Sequence, residues 1–186
     1  MGSILQLEGF LSPEDLSGFV ERARKGDEQA FASLVDACYG PLFRLVYQIV
    51  PNRADTEDIL QDTFFRFFQA VHRVKPCQDP FPFLRTIAVR RTYSLLGRGG
   101  RGNVSLEDLP EGLPELAIQG HQYEIRTLYR WADTLPRAQR LVFLLRDVLG
   151  IEDAEIGRLM GIREVTVRRH ASLARQALER GADKIR

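Results

Sequence analysis

Residues 147–178 read DVLGIEDAEIGRLMGIREVTVRRHASLARQAL. Two short apolar-periodic segments meet at Gly161. The first carries Ile156, Leu159 and Met160. The second carries Val167, Ala171, Ala174 and Leu178, spaced four, three and four apart. That spacing lays one apolar stripe along an α-helix. The opposite face of the second segment shows Arg168, Arg169, Ser172 and Arg175. Two short helices joined at a glycine, the second basic on its outer face, form the pattern of a DNA-binding helix-turn-helix. An ordinary helical hairpin is the plainer alternative, since glycine turns between helices are common.

Working outward, helical signals dominate, and no stretch alternates apolar and polar residues over any length. A first helix starts near Pro13 or Ser17 and runs to Lys25. Asp27 caps a second, Glu28–Tyr39. Gly40–Pro41 breaks or bends the chain before Leu42–Val50. Asp55 or Thr56 caps the next helix, which extends to about Val74. Its apolar residues Ile59, Leu60, Thr63, Phe64, Phe67, Phe68 and Val71 recur as a buried face. After a proline-rich loop, a helix covers Phe83–Leu96.

Residues 97–121 then hold six glycines and two prolines with almost no periodicity. Read as a flexible coil, they average roughly 25–30 Å between their ends. Helices return with Ile125–Thr134 and Arg137–Val148, Pro136 suiting a first turn. The expected fold is all-α: two small helical domains joined by a flexible linker, the C-terminal one a helix-turn-helix. The boundaries are an arm at 1–18, a domain at 19–96, a linker at 97–122 and a domain at 123–186.

The chain has 186 residues, 44% hydrophobic and 27% charged, with a net charge of +1. This suits a soluble globular protein. No apolar run approaches the roughly 20 residues that span a bilayer. The N-terminus lacks the features of a secretory signal, so a cytoplasmic location is expected. The charge is segregated. Arg85, Arg90, Arg91, Arg98 and Arg101 lie in an acid-free stretch, and Asp55, Glu57, Asp58 and Asp62 in a base-free one. That division suggests one polyanionic and one basic partner. Cys38 reads as a core residue and Cys77 as a loop thiol. His72, His121 and His170 are scattered, and neither cysteine has metal-ligand spacing. No phosphate loop, nucleophile elbow or zinc-protease motif occurs. No metal, cofactor or catalytic residue is expected, and the chain reads as a binding protein, not an enzyme.

Three collinear stretches carry a resemblance: DTEDILQDTFFRFFQAVHR at 55–73, FPFLRTIAVRRTYSLL at 81–96 and LPRAQRLVFLLRDVLGIEDAEIGRLMGIREVTV at 135–167. Together they resemble RNA polymerase sigma factors of the extracytoplasmic-function type, over roughly residues 19–96 and 123–180. The resemblance implies a subunit that binds core RNA polymerase, directs it to promoters and helps open the DNA. It assigns Asp55, Glu57, Asp58, Leu60, Gln61, Asp62 and Phe64 to polymerase binding, the acids meeting basic side chains and Leu60 and Phe64 serving as anchors. Capping and solvation of the helix N-terminus is the plainer role for Asp55 and Glu57.

The resemblance also assigns Lys75, Gln78, Phe83, Arg85, Arg90 and Arg91 to the minus-ten element, where opened DNA is held by basic grooves and stacking. Phe81 and Tyr93 are further candidate aromatics there. Arg163, Glu164, Thr166, Arg168, Arg169, His170 and Arg175 would face the minus-thirty-five element, arginine pairing with guanine and glutamate with cytosine. An anti-sigma partner, often membrane-anchored, is implied too, and would hold the chain at the membrane. No small-molecule substrate and no insertion into the membrane is implied. The chain departs from the family at Phe83 (commonly tryptophan), Arg90 (asparagine), Glu152 and Arg163 (serine), and His170 and Leu173 (basic). A regulator that binds DNA alone would show the same helix-turn-helix but has no need of the acidic helix.

Overall fold

The computed structural model describes residues 13–71, 79–96, 116–118, 121–123 and 125–185. Four helices come first: α1 (Pro13–Arg24), α2 (Glu28–Ile49), α3 (Arg53–Val71) and α4 (Phe81–Leu96). A two-stranded ladder follows, β1 (Leu116–Ile118) and β2 (His121–Tyr123). Then come α5 (Ile125–Ala132), α6 (Arg137–Phe143), a π-helical turn (Leu144–Val148), α7 (Asp153–Met160) and α8 (Glu164–Ile185). The architecture is helical, as the apolar periodicity predicts.

Local chemistry sets the helix ends, and in places differs from the sequence reading. Asp27 caps α2, its carboxylate accepting from the Ala30 amide at 2.9 Å, as expected of an aspartate at that position. Of the break or bend expected at Gly40–Pro41, the break does not occur: α2 runs through Pro41. Proline forfeits one backbone hydrogen bond, but Cys38, Pro41 and Leu42 are all buried, and this packing offsets the loss. The cap of α3 is Asn52, whose Oδ1 accepts from the Asp55 amide at 3.0 Å. Thr56, one of the two expected caps, is instead buried and donates to the Val50 carbonyl at 3.1 Å. The short ladder lies at the end of the stretch read as linker and takes in Tyr123 just beyond it, pairing Leu116 with Tyr123 and Ile118 with His121. Residues 97–115, the rest of that stretch but for two, lie outside the described residues.

Two apolar clusters hold the fold. The first joins α1–α4 through Leu16, Leu34, Leu42, Leu60, Phe67 and Leu84. The second is built on Leu128, Trp131, Phe143, Leu144, Ile156 and Leu159, with Val167, Ala171, Ala174 and Leu178 of α8. Those four are all 1% exposed or less, so the stripe read from the sequence is the buried face. The second cluster does not stop at the C-terminal helices. It includes Leu45, Ile49 and Val50 at the end of α2 and Val89 of α4. The two halves therefore share buried surface, each such side chain contributing about 1.5–3 kcal/mol on leaving water. Cys38 is fully buried in the first cluster. Burial pushes its thiol up to about 12, so it is a packing residue.

Candidate polymerase and promoter interfaces

On α3, helical geometry separates two roles that the sequence pattern merged. Leu60 has no exposed surface and Phe64 is 7% exposed. Both belong to the first cluster, as the buried face read from the sequence predicts, and Phe64 also borders the groove at the helix surface. Phe68, read as core, is 45% exposed, and Phe65, absent from the expected set, is 57% exposed. The steps from Asp58 to Gln61, Phe65 and Phe68 are three, four and three residues. They form one outward stripe, polar at the N-terminal end and aromatic at the other. Phe65 and Phe68, with Phe31, Phe64 and Glu28, line an open groove of about 390 Å³. The Phe31 ring meets Phe68 edge-on at 5.0 Å between centroids. Exposed aromatic side chains beside a groove are a common feature of protein-binding surfaces.

The acids on this helix differ in freedom. Asp58 is exposed. Glu57 takes a bond from Arg53 at 2.8 Å. Asp55 is held above the usual carboxylate range, first by partial burial and then by Asp58. Asp62 pairs with Arg66 at 2.9 Å and also with Arg91 of α4. The last contact ties an expected polymerase residue to an expected DNA residue.

Helix α4 starts at Phe81, with Pro82 in its first turn, where a missing amide costs nothing; the Asp79 carboxylate accepts from the Phe81 amide at 2.9 Å. Its three expected DNA arginines are all engaged within the molecule. Arg85 pairs with Glu155 of α7. Arg90 donates to the Leu159 carbonyl at 3.1 Å, at the end of the same helix. Arg91 pairs with Asp62. Tyr93 lies under the Arg137 guanidinium of α6, 4.7 Å from the ring centroid. Phe83 is 37% exposed, and its ring lies 5.9 Å from that of Phe67. Lys75 and Gln78 lie outside the described residues.

The helix-turn-helix is α7, a glycine turn and α8. Gly161 ends α7 at φ 71°, the left-handed region that favours glycine at this point. A second glycine permits close packing: a Cβ on Gly157 would sit 2.9 Å from the Ile162 carbonyl oxygen. Glu152 stands at the cap of α7 without a side-chain bond, in keeping with the missing serine. Arg163, just before α8, and Val165, Arg168, Arg169 and Ser172 on it are exposed, and Glu164, Thr166 and His170 are half-buried. Arg168 pairs with Glu164 and reaches Asp153 of α7 at 3.6 Å. Asp153 also holds Arg146 at 3.0 Å. His170 is held below its usual value of 6.5, by desolvation and then by Arg169.

Arg175, expected to meet DNA, instead pairs with Asp147 of the π-helical turn, whose side chain is only 5% exposed. In that turn the Leu149 amide donates to the Leu144 carbonyl at 2.9 Å, one residue further back than in an α-helix. Burial pushes the Asp147 carboxyl up, and Arg175, followed by Arg146, pulls it part of the way back. The pair fastens the middle of α8 to the helix before the motif.

Among the described residues, no group of three or more histidine, cysteine or acidic side chains could hold a metal. No described helix is long and apolar enough to cross a membrane.

Two family profiles match this layout. Sigma-70 region 2 matches residues 34–102, and Sigma-70 region 4 matches residues 125–178. The chain is 30% identical over 165 residues to the ECF RNA polymerase sigma factor SigE of Mycolicibacterium smegmatis. That match covers 82% of this chain and 63% of the relative, so the chain spans less than two thirds of that protein. It is 28% identical over 173 residues to the ECF RNA polymerase sigma-E factor of Escherichia coli K12, covering 86% of this chain and 90% of that one. In fold it is similar to CnrH, solved in complex with the cytosolic domain of CnrY. The TM-score is 0.61 at 21% identity, over 91% of this chain and 98% of that one. With an acidic-aromatic helix, an arginine-rich helix and a helix-turn-helix in the same order, the chain belongs to the extracytoplasmic-function type of RNA polymerase sigma factors.

Proposed function

We propose that this sigma factor grips core RNA polymerase with the α3 stripe, meets the minus-ten DNA with α4 and reads the minus-thirty-five DNA with the N-terminal turns of α8. The supporting observation is the α3 face, on which Asp58 and Gln61 lead into two exposed phenylalanines beside an apolar groove. A regulator working alone on DNA has no use for such a face. A partner helix carrying basic side chains and an apolar edge complements it in charge and shape. Buried aromatic anchors dominate interface energy, so Phe65 and Phe68 join Phe64 at the groove in the anchoring role, and Leu60, with no exposed surface, supports them from the core. The working units are the polymerase and minus-ten domain, which starts at α1 and not at residue 19 because Leu16 is buried in its core, a linker at 97–122 and the minus-thirty-five domain at 123–186.

The chain works by binding and not by bond chemistry. The energy for opening the duplex comes from a preference for separated strands, held by basic and aromatic side chains. Because Arg85 and Arg90 rest against α7, contact between α4 and DNA requires these bonds to part. Arg163 at the start of α8, with Thr166 and Arg169 on it, are the recognition residues, and Glu164 and Arg168 form a coupled pair beside them. The site of action is the cytoplasm, and an anti-sigma protein, membrane-anchored or free, would compete for these same surfaces.

The test is reconstitution with purified core polymerase, using the full chain, Asp58→Lys and the double variant Phe65→Ser, Phe68→Ser. Asp58 is chosen over Asp62 because Asp62 also braces α4. Both variants should keep the helical spectrum and lose at least tenfold in core affinity, the loss of about 1.4 kcal/mol or more expected of anchor residues. Normal holoenzyme formation by both would refute the α3 assignment.

A further inference from the structure

Val165 stands in the first turn of α8 and is 60% exposed, the largest exposure among the large apolar side chains of the described residues. A lone exposed valine on most surfaces needs no explanation. This one faces the direction in which α8 presents its recognition surface. Val167, Ala171, Ala174 and Leu178 fix the inward face. Val165, Arg169 and Ser172, at i, i+4 and i+7, occupy the side away from it. All three are exposed.

The neighbouring charges are drawn off this line. Arg168 bonds Glu164 and leans towards Asp153 of α7. The outermost stripe therefore begins with an apolar group and continues with an arginine. Stability does not account for the valine. It is a poorer helix former than alanine, and at this exposure it covers little apolar surface.

The major groove offers an apolar group one specific partner. Of the four bases only thymine displays a methyl group there, at C5. A branched aliphatic side chain at the N-terminal end of the helix, where side chains reach base edges, can bury that methyl. We infer that Val165 selects a thymine in the upstream promoter element by contact with its C5-methyl, next to the base edge that Arg169 reaches. The inference rests on the reading of α8 as the minus-thirty-five recognition helix.

The experiment uses holoenzyme made with the full chain, Val165→Ala or Arg169→Ala, bound to duplexes randomised over the upstream element. Holoenzyme with the unaltered chain should enrich thymine at one position. Val165→Ala should lose that preference alone, while Arg169→Ala loses a different position. Replacing the selected thymidine by deoxyuridine removes only the methyl. That should weaken binding by the unaltered chain about fourfold, equivalent to roughly 0.8 kcal/mol for one methyl-sized group, and leave Val165→Ala unaffected. Val165→Ala should keep full helicity. Retained thymine preference in Val165→Ala, or equal affinity for the deoxyuridine duplex, would overturn the inference while leaving the recognition helix intact. Absence of any selected upstream sequence with the unaltered chain would overturn the reading of α8, and the thymine contact with it.

Discussion

Arg175→Ala separates a structural arginine from a DNA-contacting one. Arg175 lies among the basic residues of α8, yet its guanidinium bonds Asp147, whose side chain is 5% exposed against 34% for the arginine. The other carboxylate oxygen, Oδ2, is buried and has no bond within the protein. Removing one partner of a buried pair costs about 3–5 kcal/mol. Because water reaches a third of Arg175 the figure is discounted to about 2–3 kcal/mol. For a chain of this size that lowers the melting temperature by roughly 5–10 °C.

The assay is urea unfolding followed by far-ultraviolet circular dichroism, paired with DNA binding at several salt concentrations. The Asp147 carboxyl sits above its usual value of 3.8 through burial, and losing Arg175 raises it further. A raised acid gives its stability below the unfolded value and loses it as pH rises through the folded one. The deficit of Arg175→Ala should therefore shrink towards pH 3.8 and grow towards neutrality. Asp147→Asn in the same chain should recover most of it. Unaltered unfolding, together with a salt slope about one unit shallower, would identify Arg175 as a phosphate contact and refute the reasoning.

Other changes follow from single contacts. Gly157→Ala places a methyl 2.9 Å from the Ile162 carbonyl; it should cost about 1–3 kcal/mol and weaken promoter binding, as read by thermal melting and DNA titration. His170 has a folded value below 6.5, so its stabilising contribution is complete above the unfolded value near 6.5 and lost as pH falls through the folded one. His170→Gln should remove that part of the acid-side decline, and identical urea midpoints across the range in both proteins would contradict it. Glu155→Gln should weaken the hold of α7 on Arg85 and raise the affinity of the isolated chain for opened minus-ten DNA by up to about fivefold, the worth of a partly exposed pair near 1 kcal/mol. Unchanged affinity would mean that this pair does not restrain α4.

The helix-turn-helix was legible because its buried stripe is local. Val167, Ala171, Ala174 and Leu178 declare one face by spacing alone, and Gly161 marks the turn. The acidic-aromatic character of α3 was legible in kind but not in detail. Periodicity placed Leu60 correctly on the buried face, but seven apolar or near-apolar positions span more than half of α3, so it could not say that Phe68 is exposed. An aromatic pair one helical turn apart beyond the acidic segment was the available signal. The partners of Arg85 and Arg90 were not legible, because Glu155 and Leu159 lie about 70 residues away in sequence. The continuity of α2 through Pro41 depends on packing against other helices, which outweighs a local break. Asp147 gave no sign that the backbone at Leu144–Val148 widens into a π-helical turn and that burial makes it the partner of Arg175.

The most direct measurement is run-off transcription from a genomic promoter library by purified core polymerase with and without the full chain. The account predicts transcripts from a defined set of promoters only when the chain is present, and loss of that set with Asp58→Lys. A chain that never associates with core polymerase, and changes no start site while still binding duplex DNA unaided, would contradict it.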